Sequence, residues 1–206
     1  MPEISLPAVA DRVRIQSVET LSDDWYLLKK TTFDFLRSDG TWQRQSRETY
    51  DRGNGAVILL YNLEQRSVVL TAQFRFPAFV NGHDGMLIEA PAGLLDAASP
   101  EARIKAEVEE ETGYRVEHVR KIFEAFMSPG SVTEKLYFFV AEYEASSKAA
   151  LGGGNREEGE DIAVLELSIE DAMRAIENGE IADGKTIMLL QYAHIHLFGE
   201  KQSAAS

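Results

Sequence analysis

Three glutamates on one short stretch form the most chemically suggestive group in the sequence. They lie in Gly93-Leu-Leu-Asp-Ala-Ala-Ser-Pro-Glu-Ala-Arg-Ile-Lys-Ala-Glu-Val-Glu-Glu-Glu-Thr-Gly-Tyr114. Ser99 suits an N-cap, Pro100 a first helical position and Gly113 a helix end, so the stretch reads as glycine turn, loop and short helix. At 3.6 residues per turn, Glu107, Glu110 and Glu111 fall within an arc of roughly 100°, with Arg103 in the same arc. Ile104 and Val108 border that arc on one side, Ala102 and Ala106 on the other, and Lys105 and Glu109 lie opposite. The acidic face is therefore expected to look inward. Two carboxylates about 5 Å apart repel by roughly 3 kcal/mol at an effective dielectric of 20. They also crowd the C-terminal turn, where the helix dipole disfavours negative charge. A divalent cation removes both penalties, and hard carboxylate oxygens suit Mg²⁺ or Mn²⁺. For Glu-x-x-Glu-Glu alone, a solvated acidic face remains the alternative.

The residues around the glutamates favour the metal. The segment resembles the Nudix box: Gly, five residues, Glu, seven residues, then Arg-Glu-apolar-x-Glu-Glu-x-Gly-apolar. Glu107, Val108, Glu110, Glu111, Gly113 and Tyr114 match its right-hand half. Three positions depart from it. Gly93 stands one residue closer to the helix, Ala98 occupies the first glutamate position, and Ala106 occupies the arginine position. The family's arginine braces the glutamate after it. Arg103, one turn before Glu107, is the expected substitute.

The elements that must hold this helix can be read around it. At 206 residues and 44% hydrophobic, the chain can bury a proper core. No run of 18 apolar residues suggests a membrane span, and no basic-then-apolar start suggests export. The sequence has no cysteine, which fits a cytoplasmic protein. A net charge of −13 argues against nucleic acid as a partner, and makes any phosphate-bearing substrate depend on metal and a few placed cations.

Short β-rich runs occur at Val13–Ile15 and Val18–Leu21, and a hairpin is expected from Trp25–Leu36 and Trp42–Tyr50 around Ser38-Asp-Gly40. Ala56–Tyr61 has central-strand character, followed by strands over Ser67–Phe76 and Met86–Ala90. After the acidic helix, Val116–Met127, Thr133–Glu144 and Ile162–Leu167 read as strands, and Ile169–Asn178 and Lys185–Phe198 as helices. Gly152-Gly-Gly154 lacks the strand-loop-helix context of a phosphate loop and reads as part of a mobile polar loop over 145–160. His194 and His196 face different ways on a helix and suggest no ligand pair. The expected fold is an α/β/α sandwich with a mixed sheet and an extra N-terminal antiparallel sheet. Residues 1–50 are expected to form an N-terminal β region with dimer contacts, 51–200 the Nudix domain and 201–206 a flexible tail.

Other stretches narrow the resemblance. Arg47-Glu-Thr-Tyr-Asp-Arg-Gly-Asn-Gly55, Gln73-Phe-Arg75, Met127-Ser-Pro-Gly-Ser-Val-Thr-Glu134, Glu160-Asp-Ile162 and Asp183-Gly-Lys185 resemble the bacterial GDP-mannose hydrolases, kin of the ADP-ribose pyrophosphatases. The resemblance implies a Mg²⁺-dependent homodimer that cleaves GDP-mannose to GMP and mannose 1-phosphate. Alternatives are hydrolysis of ADP-ribose or another nucleotide sugar, or binding without cleavage. By position it assigns metal binding to Glu107, Glu111, Glu160 and the carbonyl of Ala92. Glu160, Glu111 and Glu110 are the candidate catalytic carboxylates, with Glu157, Glu158 and Asp161 as competitors of Glu160. Substrate contacts fall to Trp25, Ser46, Arg47, Glu48, Arg75, Gly93, Leu94, Glu134 and Lys185. Trp25 can stack on a purine or serve as a core aromatic. Arg75 and Lys185 can stabilise charge on phosphoryl oxygens.

Overall fold

The computed structural model describes residues 8–95, 98–155, 157 and 159–199, so the expected tail, 201–206, and Glu158 lie outside the described residues. The chain divides into two compact units, Met1–Gly53 with Ser128–Glu134, and Asn54–Met127 with Lys135–Ser206.

The first unit is an antiparallel meander of β1 (Val13–Asp23), β2 (Leu27–Leu36) and β3 (Trp42–Asp51). The two runs read separately at 13–15 and 18–21 form one strand. Register shifts at Gln16 and Leu21 are absorbed as bulges, which breaks the period-2 pattern without breaking the ladder. The β2–β3 turn closes as its residues require. Gly40 adopts φ 82°, and Asp39 Oδ1 accepts from the Thr41 amide at 2.9 Å. Segment 128–134 is tied to β3 through Tyr50, whose amide donates to Ser131 O at 2.8 Å and whose carbonyl accepts from Thr133 N at 3.1 Å.

The second unit is built on a seven-stranded sheet. Its main path runs β10 (Ala163–Ser168), β5 (Ser67–Phe74), β4 (Gly55–Asn62), β9 (Lys135–Glu142), β8 (Arg120–Phe126). β6 (Met86–Glu89) pairs with β5, and β7 (Ala92–Leu94) with β4. β4 and β9 run parallel and the other pairs antiparallel, so the sheet is mixed. Both of its faces are buried, and the strands alternate between them. Val57, Leu59, Val68, Leu70, Phe138 and Val140 face α3 (Ile169–Glu177) and α4 (Gly184–His196). Ala56, Ile58, Leu60, Val69, Phe139 and Ala141 face α2 (Pro100–Thr112) through Ile104 and Val108. The expected α/β/α sandwich with its extra antiparallel sheet is the fold observed.

Several boundaries differ from expectation. The strand read to Phe76 stops at Phe74, and a five-residue helix, α1 (Phe76–Val80), follows, because Pro77 has no amide to give a ladder but suits a first helical turn. β7 is too short to carry a periodic signal and exists through pairing, Gly55 opposite Leu94 and Val57 opposite Ala92. β8 begins at Arg120 rather than Val116.

α2 is punctuated as read, and the polar loop completes it. Ser99 Oγ accepts from Ala102 N at 3.3 Å, Pro100 opens the helix and Gly113 closes it at φ 77°. The stretch read as a mobile loop docks on that closing end. Gly153 N donates to Glu111 O at 2.9 Å, Gly154 N to Glu110 O at 3.2 Å, and Ala149 N to Gly113 O at 2.7 Å. These amides satisfy carbonyls that a helix end leaves open. Glycine is required for the approach. Gly152 holds φ 73°, and a Cβ there would collide with the Glu111 carbonyl. Gly152→Ala is therefore expected to lower stability by about 1–3 kcal/mol, read as a fall of several degrees in Tm; an unchanged melting curve would show that the loop does not cap the helix.

Candidate active site

Arg75, Glu89 and Glu160, from other parts of the second unit, bring charge near Glu111 on α2. The helix buries Ile104, Glu107, Val108, Glu111 and Thr112. Glu110, expected to point inward with the other two, is exposed. It sits about 60° from Glu107 on the side away from Ile104 and Val108, so burying those two apolar residues turns it out.

Glu107 is held from two sides. Arg103 Nη2 lies 2.5 Å from Glu107 Oε1, and Arg103 Nε donates to Leu94 O at 3.0 Å, so the brace also ties α2 to β7. The substitute brace expected from helix spacing is thus formed, while Ala106 is exposed. Gly93 gives Glu107 its room, since a Cβ there would collide with the carboxylate. This is a close approach that only glycine permits, whatever else Gly93 does.

Glu111 is the costly residue. It is 2% exposed, and among the described residues its Oε2 has no hydrogen-bond partner. Burial, then the nearby charges of Glu107 and Glu160, holds its carboxyl well above the ordinary value of 4.5. Leaving a buried carboxylate oxygen unmatched costs on the order of 1–3 kcal/mol unless a cation or proton occupies it. Glu160 lies half-buried on the docked loop, its Oε2 accepting from Asn155 N at 2.8 Å and its amide donating to Asn155 O at 3.2 Å. Glu157 and Asp161 are exposed. Ala92 sits on β7 opposite Val57. Among the described residues, no three acidic or histidine side chains are drawn into a closed metal cage. The donor set nevertheless fits a hard divalent cation: buried carboxylates, an orphaned oxygen and a neighbouring carboxylate on a separate loop.

Beside the acids stands a cationic pair. Arg75, just after β5, donates through Nε to Glu89 Oε2 at 2.7 Å, and Lys185, in the first turn of α4, donates to Glu89 Oε1 at 2.5 Å. Lys185 also donates to Asp183 Oδ1 at 2.9 Å. Asp183 belongs to the Asp183-Gly-Lys185 stretch singled out in the sequence, though with no role of its own, and Glu89 did not stand out. A carboxylate in the otherwise apolar run Met86-Leu-Ile-Glu89-Ala-Pro91 was the available signal.

The remaining expected contacts lie in the first unit. Trp25 is 82% exposed, so it is not a core aromatic; it meets Tyr26 edge-on at 6.2 Å. Ser46, Arg47 and Glu48 are exposed along β3. Ser46 Oγ lies 3.0 Å from Thr32 Oγ1, and Arg47 donates to Ser46 O at 2.8 Å and to Gln45 Oε1 at 3.0 Å. Glu134 pairs with Arg52 at 3.3 Å. The structure thus gathers Arg75, Gly93, Leu94, Glu107, Glu111, Glu160 and Lys185 in one unit, and Trp25, Ser46, Arg47, Glu48 and Glu134 in the other.

The NUDIX domain model matches residues 51–190, more than half of the chain. The chain belongs to the Nudix family. A second match, described as the GDP-mannose pyrophosphatase NudK N-terminal domain, covers residues 12–50. Among its relatives, the GDP-mannose pyrophosphatase of Yersinia pestis (strain Pestoides F) is 56% identical over 189 residues, spanning 90% of this chain and 94% of that one. The protein of that description from Pectobacterium atrosepticum is 54% identical over 184 residues, 89% and 94% of the two chains. The one from Citrobacter koseri is 51% identical over 187 residues, 90% and 97%. A crystal structure of an ADP compounds hydrolase superposes with TM-score 0.69 at 16% identity, covering 92% of this chain and 95% of that one, a likeness of fold. Nudix hydrolases generally use divalent metal ions, in keeping with the donor set on α2. Among the described residues no helix is long and apolar enough to cross a membrane.

The state of Glu111 gives a direct test. Its native pKa is raised, so the folded chain holds that proton more tightly than the unfolded chain. The stability this confers is complete below about 4.5 and is lost as pH rises through the raised value. In metal-free protein, the Tm of the wild type should therefore fall relative to Glu111→Gln as pH rises from the carboxylate range toward neutrality. Adding Mg²⁺ at neutral pH should raise the Tm of the wild type and not of the variant. Parallel pH curves with equal responses to metal would contradict this account of the helix.

Proposed function

We propose that the protein is a Mg²⁺-dependent hydrolase of nucleoside diphosphate sugars, cleaving GDP-mannose to GMP and mannose 1-phosphate. Mn²⁺ is an acceptable substitute on the same oxygen donors. The observation that carries this reading is a pair of buried helix glutamates beside Arg75 and Lys185, in a chain 56% identical to a GDP-mannose pyrophosphatase over almost its whole length.

Hydrolysis adds water across the P–O–P bridge: one P–O bond forms to the water oxygen, the bridging P–O bond breaks, and the departing phosphate leaves as an anion. Divalent metal supplies charge neutralisation on the phosphoryl oxygens and activation of the water. Glu107 and Glu111, with the Ala92 carbonyl, are proposed to hold it. Glu160 approaches on its own loop and is proposed to complete that shell, orient the attacking water and accept its proton. Exposed Glu110 is the weaker catalytic candidate, since it stands outside the buried group. Arg75 and Lys185 carry the positive charge that an anionic substrate must find on a chain of net charge −13. Gly93 and Leu94 line the same approach through β7.

The first unit is proposed to recognise the nucleotide and to pair two chains. Trp25 offers an exposed face for a purine, with Ser46, Arg47, Glu48 and Glu134 as polar contacts. The whole of β1 is exposed, including Val13, Ile15, Val18 and Leu21, and an apolar edge strand of that length is commonly covered by another chain. A cytoplasmic location is proposed from the cysteine-free sequence.

A panel of nucleotide sugars with Mg²⁺ and phosphatase-coupled phosphate release tests the reading. GDP-mannose is expected to give the highest kcat/KM; preference for ADP-ribose would reassign the substrate, and no release from any member would make the chain a binder. Glu107→Gln and Glu111→Gln should each lower kcat by roughly 10²-fold or more with the fold retained. Glu160→Gln should lower kcat by roughly 10²-fold with KM largely kept; an equal loss in binding would make Glu160 a ground-state ligand. Arg47→Ala should raise KM, and sedimentation at micromolar concentration should give a dimer.

A further inference from the structure

Glu89 is bonded far more heavily than a strand-end carboxylate needs to be. It is 3% exposed, and its two oxygens take different cations from distant parts of the chain, Arg75 Nε on Oε2 and Lys185 Nζ on Oε1. The next residue closes a ring of bonds back to Lys185. Ala90 N donates to Thr186 Oγ1 at 2.7 Å, Thr186 Oγ1 donates to Asp183 Oδ2 at 2.6 Å, and Asp183 Oδ1 accepts from Lys185 Nζ at 2.9 Å. Asp183 Oδ2 also caps α4 by accepting from Thr186 N at 3.0 Å. The end of β6 and the start of α4 are thereby locked together, with the lysine pinned between two carboxylates.

Holding the fold together would need only one of these cations, and both could then be buried. Instead the Arg75 side chain is 41% exposed, and among the described residues its terminal nitrogens have no hydrogen-bond partner. Arg75 engages the buried acid through Nε alone, which fixes the plane of the guanidinium while leaving its fork free for a bidentate oxyanion. Lys185 uses two of its three donors on Glu89 and Asp183.

We propose that Glu89 is a positioning residue, which holds Arg75 and Lys185 as a paired fork for the two phosphoryl groups of the substrate. The assignment rests on the nucleotide-sugar hydrolase reading for its substrate, though not for its geometry. Anchoring both cations on one rigid acid removes the side-chain entropy that free arginine and lysine would lose on binding.

The test is a double-mutant cycle on Glu89→Gln and Lys185→Met, with two readouts: steady-state kinetics on GDP-mannose, and calorimetric binding of inorganic pyrophosphate in the presence of Mg²⁺. Each single variant is expected to raise KM and weaken pyrophosphate binding by about tenfold, with a smaller effect on kcat. The double variant should fall clearly short of the product of the two single losses, because the part of Glu89's action that runs through Lys185 is already removed while the part through Arg75 remains. Multiplicative losses near a hundredfold, or a Glu89→Gln variant with lowered Tm and unchanged KM, would overturn the proposal. If Glu89→Gln does not fold, Glu89→Asp keeps the charge but withdraws it by about 1.5 Å and is read the same way. Coupling seen with pyrophosphate in a protein inactive on GDP-mannose would keep the fork and reject the substrate; activity without coupling would do the reverse.

Discussion

Two carboxylates buried side by side on one helix face are the constraint on which the rest of this site depends. Glu107 and Glu111 are both nearly inaccessible, yet among the described residues only Glu107 is in an ion pair. The fold keeps this unfavourable pair by rigid means. Arg103 staples the helix to β7, Gly93 leaves space where any side chain would strike the carboxylate, and the Gly152–Gly154 segment closes the helix end over the carbonyls of Glu110 and Glu111. A well-packed apolar helix would be more stable. Buried, partly unmatched carboxylates of this kind are the chemistry that suits a cation site.

The neighbouring cations answer the same electrostatic problem from the other side. A strongly acidic chain repels a pyrophosphate at long range, so attraction must be local. In the proposed reading Arg75 and Lys185 provide it. Glu89 holds both cations and Asp183 also holds the lysine, which keeps them apart from the helix acids. The same loop that caps α2 also carries Glu160, so the third carboxylate reaches the group from an element bonded to the helix it serves.

How much of this was legible in the sequence follows the range of the interactions. Ser99, Pro100 and Gly113 mark the helix because capping is local, and Arg103 could be placed on Glu107 because one helical turn separates them. The central strands declared themselves through apolar runs such as Ala56–Tyr61. Glu89 was not legible, since its partners come from β5 and α4 and no spacing along the chain links them. The outward turn of Glu110 was misread because the arc of glutamates was centred on its charges, whereas the burial of Ile104 and Val108 sets the rotation of the helix. β7 depends wholly on its ladder with β4, and the loop at 145–160 looked loose because its order comes from carbonyls of another element.

The most direct measurement of the central claim is Mn²⁺ binding followed by electron paramagnetic resonance of the free ion at neutral pH. If Glu107 and Glu111 are held together for a divalent cation, added Mn²⁺ should disappear from the free signal in a saturable way and return to it on addition of excess Mg²⁺. A free signal that tracks the added Mn²⁺ throughout the titration would mean that the buried carboxylates are not a metal site.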